Sequence, residues 1–342
     1  MTVDDTAAAA AASCERLTVR YGRKLALDDV TLSVPAGSVY ALLGRNGAGK
    51  SSAVRCWLGQ QKPTAGRTAL LGRDVWKHRA ELMTRVGVVP EEPDAPPTMS
   101  AVELGKFCAR LYPRWDGAGY DARLARFGVA TSAPLRTLSK GQKGQVMLAL
   151  ALGHAPELLL LDDPTLGLDV VARRDLFDEL IGELHDRGTT VVLTTHDLIG
   201  VERIVDHVGV LKHSRLALSE ELDALKQRFR SVRFRVADGD ADAATAALAP
   251  LAPCATRRRE WGMEAVATRF ADDAFAHFRA TPGVAHAEAV AMSLELAGLT
   301  PADPYAGRSP SQVRRRGASV RGCSSRKGCR PWSRSTRVRA RG

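Results

Sequence analysis

No apolar run in the 342 residues approaches the ~18 needed for a membrane-spanning helix. The stretch Ala7–Ala12 is too short for a secretory signal and follows two acids. These absences predict a soluble, cytoplasmic chain that meets a membrane only through a partner. Aromatics are sparse, at 5%. The six cysteines (Cys14, Cys56, Cys108, Cys254, Cys323 and Cys329) form no CxxC pair and no metal-like spacing. That pattern excludes a disulfide scaffold or zinc module and reads as scattered reduced thiols. Heptads are absent too, so no long coiled coil is expected. What the chain does have is a 45% apolar content, enough for a sizeable core.

The formal net charge is +11, but it is concentrated at one end. Residues Gly307 to Gly342 carry eleven Arg, one Lys and no acid, so the rest sums to 11 − 12 = −1. A tail at 301–342, rich in Arg, Ser and Gly and without periodicity, is expected to be disordered. One reading of the tail is contact with nucleic acid or anionic lipid. The other is a stretch without a role, such as a frame-shifted terminus, since it lacks interleaved aromatics.

Residues 1–13 are expected to be a flexible N-terminus. From 14 to 230, strand-like and helix-like segments alternate, predicting an α/β domain with a central mixed sheet. Leu17, Val19 and Tyr21 alternate with polar residues, as in an edge strand. Val39 to Leu43 is apolar and runs into a glycine loop, with a helix from Lys50 to about Leu58. Arg85 to Val89 reads as a strand stopped by Pro90. Residues 95–153 read as an inserted helical subdomain. Leu158 to Leu161 and Val191 to Thr194 are buried-strand candidates ending at polar residues, where α/β folds place ligands. Residues 231–300 form a small α+β region: strands near Val232–Val236, Trp261–Phe270 and Ala285–Met292, and helices near Ala243–Leu248, capped by Asp242, and Asp272–Phe278. If Cys254 to Arg258 adds a strand, the order is βαββαβ. The alternative is a loose set of extensions on the main domain.

The loop Gly44-Arg45-Asn46-Gly47-Ala48-Gly49-Lys50-Ser51 fits G-x-x-x-x-G-K-[ST], with a strand before and a helix after. Such glycines let successive N–H groups turn inward, and with the helix N-terminus they hold phosphates. Lys50 is placed to reach the β- and γ-phosphates and Ser51 to ligate Mg²⁺. Four apolar residues then deliver Asp162 and Asp163, an arrangement that brings a carboxylate to Mg²⁺ from a buried strand.

Further motifs follow in one order. Leu138-Ser-Lys-Gly-Gln142 resembles the LSGGQ signature of the ATP-binding cassette (ABC) family. Leu160-Leu-Asp-Asp-Pro-Thr-Leu-Gly-Leu-Asp169 resembles its Walker B and D-loop, and Thr195-His-Asp197 its H-loop. Tyr21 stands where that family keeps an adenine-stacking aromatic, and Val88-Val-Pro-Glu-Glu-Pro93 where its Q-loop falls. The resemblance covers about Arg16 to Leu225. It implies a P-loop NTPase of ABC type that binds ATP with Mg²⁺ between two cassettes facing head to tail. The first cassette supplies the loop from Gly44 through Ser51 and Ser52. The second supplies Ser139, Gly141 and Gln142 to the γ-phosphate. Asp162 and Glu91 join Ser51 at the metal, Asp163 stands at the general base, His196 orients the attacking water, and Asp169 communicates across the interface. No other metal is implied.

Three departures bear on rate. Asp163 replaces the usual glutamate, which withdraws the carboxylate by roughly 1.5 Å. Glu91 replaces glutamine, and Lys140 the signature's first glycine. The resemblance implies an ATPase subunit, peripheral on the cytoplasmic face of the membrane. It would dimerise with a second cassette, serve a separate integral-membrane permease, and most resemble exporters of drugs, lipids or polysaccharides. The helical subdomain and the Glu91 loop would be its docking surface. Two alternatives stay open: a soluble ABC ATPase acting on nucleic acid or ribosomes, which the single cassette disfavours, and a slow-turnover nucleotide sensor.

Overall fold

The computed structural model describes residues 10–93, 95–165, 168–196, 201–236 and 241–291. The Arg-rich tail, the first nine residues, Asp197, and Leu166 and Gly167 of the D-loop lie outside the described residues.

The chain opens with β1 (Ala10–Tyr21), β2 (Lys24–Pro35) and β3 (Val39–Gly44), then α1 (Lys50–Trp57), β4 (Ala65–Leu70), β5 (Arg73–Asp74), α2 (Val75–Leu82) and β6 (Val86–Val89). Three helices follow: α3 (Ala101–Leu111), α4 (Gly117–Arg126) and α5 (Lys140–Leu152). Next come β7 (Leu158–Asp162), α6 (Val170–Arg187), β8 (Thr190–Thr195), β9 (His207–Lys212), β10 (Arg215–Glu221) and α7 (Leu222–Arg228). The last described elements are β11 (Arg230–Val236), α8 (Ala241–Ala247), β12 (Pro253–Arg259), β13 (Gly262–Ala267), α9 (Asp272–Arg279) and β14 (Val284–Ala291).

The central sheet has six strands in the order β10-β9-β3-β8-β7-β6. Only β10 runs antiparallel to its neighbour; β9, β3, β8, β7 and β6 pair in parallel, so the sheet is mixed. Its inner strands are apolar runs covered on both faces, as a parallel sheet requires. Their side chains divide between two cores: Leu159, Leu161 and Leu193 face the helical side, while Leu158, Leu160 and Val192 join Trp57 and the second sheet.

That second sheet is antiparallel, in the order β2-β1-β4-β5. Two expectations are corrected by it. β1 is not an edge strand, because it pairs with both β2 and β4. Nor does order begin only after residue 13: Ala11 and Ala12 are buried in the same cluster as Trp57, whose Nε1 donates to Ser13 O at 2.9 Å.

Helices α3, α4 and α5 form the region inserted between β6 and β7. Ser100 and Glu103 close a capping box at α3, and Ser139 and Gln142 another at α5. An ionic cluster joins α4 to α6: Arg123 bridges Glu179 (Nε to Oε1, 2.6 Å) and Glu183, all three nearly buried. Beyond α7, strands β11 to β14 form an antiparallel sheet in the order β12-β13-β11-β14. With α8 and α9 between them, the elements run βαββαβ. Asp242 falls inside α8 rather than before it, so the predicted cap is corrected.

Candidate nucleotide site

Strand order explains the convergence of the motifs. β3, β8, β7 and β6 lie side by side and parallel, so their carboxyl ends open on one edge of the sheet. From those ends emerge the glycine loop, His196, the Asp162–Asp163 pair and Glu91 respectively. This is the crevice where open α/β sheets bind ligands. A cleft of about 400 Å³ sits there, reached by Tyr21, Asn46, Gly47, Gly49, Lys50, Ser51, Ser52, Glu91, Asp162, Asp163 and His196.

The loop is held from within. Lys50 Nζ donates to Gly44 O at 2.7 Å and Arg45 O at 3.4 Å, and Ala48 N donates to Arg45 O at 2.9 Å. Gly47 and Gly49 take φ of +84° and +110°, in the region that favours glycine. At Gly49 space is short as well: a Cβ would lie 2.4 Å from Ala26 O. Gly49→Ala is expected to cost about 1–3 kcal/mol in backbone strain alone and to abolish nucleotide binding, read by thermal denaturation and by ATP titration.

Burial pulls the Lys50 ammonium below its usual pKa, opposed by the negative charges of Asp163, Asp162 and Glu91. Three carboxylates thus act on one buried cation in a cleft that suits phosphate. Ser51 Oγ donates to Asp162 Oδ1 at 3.2 Å, and Thr194 Oγ1 donates to the same oxygen at 2.5 Å. A hydroxyl beside a carboxylate is a hard oxygen pair that suits Mg²⁺. Among the described residues no three His, Cys, Asp or Glu side chains converge as a metal site. An ion on Ser51 and Asp162 would therefore complete its shell with phosphate and water.

Asp163 is buried and adopts φ +47°. Its N–H donates to both Thr194 O (3.1 Å) and Thr194 Oγ1 (3.0 Å), which anchors the turn. Oδ2 lies 2.9 Å from His196 Nδ1, while the buried Oδ1 has no hydrogen-bond partner among the described residues. The shorter acid is thus tied to the histidine and keeps one acceptor oxygen free.

The remaining predicted residues lie elsewhere. Ser139 caps α5 by accepting from Gln142 N (3.2 Å), and Gln142 Oε1 accepts from Ser139 N (3.1 Å). Asp169 caps α6 by accepting from Ala172 N (2.8 Å). None of Ser139, Gly141, Gln142 or Asp169 lines the cleft of its own chain. Lys140 lines a separate cavity of about 30 Å³, room for a water molecule, together with Glu91 and Asp163.

Three residues escaped the sequence reading. Thr194 holds both aspartates, which depends on the β7–β8 register placing it opposite Asp162. Lys24 and Arg55 line the cleft beside Tyr21. A signal for Lys24 was available: it follows Tyr21 across the two-residue turn Gly22-Arg23.

Comparison with known proteins agrees with this architecture. Residues 27–166 match the family described as ABC transporter. The chain is 32% identical over 225 residues to the bacitracin transport ATP-binding protein BcrA of Bacillus licheniformis, covering 65% of this chain and 74% of that protein. It is 33% identical over 249 residues to the Nod factor export ATP-binding protein I of Ralstonia nicotianae, covering 70% and 76%. Among solved structures, an ATP-binding subunit of an ABC transporter superposes with a TM-score of 0.58 at 28% identity, covering 64% of this chain and 92% of that one. With its phosphate loop, paired aspartates and strand-end histidine on one sheet edge, the chain belongs to the ABC family as an ATP-binding, ATP-hydrolysing transporter subunit.

Proposed function

We propose that this subunit hydrolyses ATP-Mg²⁺ in a head-to-tail dimer and drives export through a separate membrane permease, from the cytoplasmic face. The observation that carries the dimer is the division of the site. The cleft holds the loop, metal-side and base-side residues, whereas Ser139, Gly141, Gln142 and Asp169 stand at the starts of α5 and α6, outside it. A helix N-terminus suits a γ-phosphate, and α5 would offer its own to the nucleotide of a facing chain. Val170 and Val171, next to Asp169, are 85% and 68% exposed, an apolar pair that a facing copy would cover.

In the cleft, Tyr21 would stack on the base and the loop N–H groups and Lys50 would hold the phosphates. Ser51 and Asp162 would hold Mg²⁺, with Glu91 beside them. The ion would neutralise charge on the transferring phosphoryl group. Asp163 would accept the proton of the attacking water, and His196 would fix the Asp163 carboxylate and contact the γ-phosphate. Export is supported by the similarity to the Nod factor export ATP-binding protein I.

The permease face is supported by α3. No described helix is long and apolar enough to cross a membrane, yet Phe107 and Leu111, one turn apart, are 54% and 57% exposed. Such apolar exposure marks an interaction surface. Co-expression with a candidate multi-span permease tests the reading. The native chain should partition to membranes, and Phe107→Asp/Leu111→Asp should return it to the soluble fraction with ATP binding intact. A double variant that still partitions fully would remove α3 as the docking face.

A further inference from the structure

Strand β8 lies between β3 and β7 in the central sheet, and its Thr194 stands in register between Leu42 and Asp162. The Thr194 side chain is fully buried. Side chains along a strand alternate between faces, and Leu158, Leu160 and Val192 all belong to the core on the Trp57 side. Asp162 and Thr194 continue those rows at the carboxyl ends of β7 and β8. Both therefore turn towards α1, where Ser51 stands.

The direction of each bond made by the Thr194 hydroxyl is fixed by its partner. The N–H of Asp163 can only donate, so Oγ1 accepts it, at 3.0 Å. An ionised carboxylate can only accept, so the hydroxyl proton points at Asp162 Oδ1, at 2.5 Å. One buried hydroxyl thus ties two consecutive acids to a neighbouring strand. The two ties differ in redundancy. Asp163 N–H is held a second time by Thr194 O, at 3.1 Å, through a bond that no side-chain change removes. Asp162 Oδ1 has a second donor in Ser51 Oγ, but that contact is the longer, at 3.2 Å. Ser51 is moreover a candidate metal ligand itself, not an independent support.

We propose that Thr194 is a positioning residue for the metal-side carboxylate. Its hydroxyl fixes the Asp162 side chain from the buried side, so affinity for a divalent ion depends on a residue that would not touch the ion. Carboxylates that ligate metals are oriented by hydrogen bonds from outside the ligand set, and the loss of such a partner costs metal affinity. This rests on the reading of Ser51 and Asp162 as the residues that would hold Mg²⁺.

Titration of Mn²⁺ into the purified full chain with stoichiometric ATP, followed by the electron paramagnetic resonance of free Mn²⁺, tests it against ATP alone. The native chain is expected to hold Mn²⁺ more tightly than ATP alone does. Thr194→Val keeps the branched shape, removes the hydroxyl and is expected to weaken that binding by about tenfold. Thr194→Ser restores the hydroxyl and is expected to bind within about threefold of the native chain. Thr194→Ala, which is smaller and easier to accommodate, is read alongside Thr194→Val with the same expectation, so that misfolding of one variant does not decide the result. Thr190→Val removes another buried hydroxyl of β8, one that accepts from Gly37 N at 2.9 Å, and should leave Mn²⁺ binding unchanged. Folded Thr194→Val or Thr194→Ala chains that bind Mn²⁺ as the native chain does overturn the proposal. So does Thr194→Ser as weak as Thr194→Val, or an equal loss in Thr190→Val, since packing of β8 and not the hydroxyl would then set the affinity. A native chain no tighter than ATP alone, or Ser51→Ala equal to the native chain, removes the metal assignment itself and is thereby told apart from an error about Thr194.

Discussion

Replacing Asp163 by asparagine is expected to lower ATP hydrolysis by about 10²–10³-fold while ATP still binds. The substitution keeps the shape of the side chain and removes its capacity to take a proton. The anchoring of this residue runs through its backbone N–H to Thr194, so it survives the change. What is lost is the charged acceptor at Oδ1, which has no other partner among the described residues, and the pairing of Oδ2 with His196 at 2.9 Å. His196→Ala should cost nearly as much. The double variant should cost little more than either, because two groups that act as a unit are not additive. Steady-state phosphate release, with nucleotide binding measured in parallel, checks this. A rate for Asp163→Asn within threefold of the native chain would exclude Asp163 as the base.

The largest expected effect on stability lies away from the cleft. Arg123→Met is expected to destabilise the chain by about 3–5 kcal/mol, the cost of leaving buried charges uncompensated. Arg123 is 10% exposed and reaches both Glu179 and Glu183, themselves 7% and 5% exposed, one turn apart on α6. Arg126 also meets Glu179, and Arg187 lies 3.7 Å from Glu183, but both are more exposed than Arg123 and screen less. Adding Glu183→Leu to Arg123→Met should recover a large part of the loss, since the unpaired carboxylate and not the missing contact is the main penalty. Denaturant unfolding of the single and double variants measures both. The cluster also ties the helical insertion to the helix capped by Asp169, so its loss should loosen the signature helix against the rest of the domain.

The site was legible in the sequence to the degree that its chemistry is local. Gly44 to Ser51 announces itself because the backbone geometry of a phosphate loop demands glycine at fixed spacing. Asp162 follows a run of leucines because a strand covered on both faces must be apolar until it reaches solvent. Four of the five parallel strands of the central sheet could be placed for the same reason. What escaped was set by pairing between distant segments. β1 alternates as an edge strand would, and nothing in its own residues tells that β4 will pair on its other side. Its alanine-rich start reads as a featureless tail, although those small side chains are buried in the same core as Trp57. Thr194 and Lys24 owe their places to register, against β7 and β1 respectively. Arg55 was hidden differently: it lies on the helix already identified, one turn past the motif where attention stops.

The departures from the usual cassette pattern also take on physical content. The short acid Asp163 sits in a left-handed turn anchored twice to Thr194, and that anchoring presents its carboxylate to His196 and the cleft. Lys140 lines the small cavity shared with Glu91 and Asp163, which places a signature residue against the acid side of its own chain's site.

On the proposed reading one chain holds half a site, which a second copy completes. Sedimentation velocity of the Asp163→Asn chain, with and without saturating ATP and Mg²⁺, tests it most directly. The account predicts a monomer without nucleotide, a dimer with it, and no ATP-dependent dimer when Ser139→Arg is added. A chain that stays monomeric with its cleft saturated, or a dimer indifferent to Ser139→Arg, would contradict it.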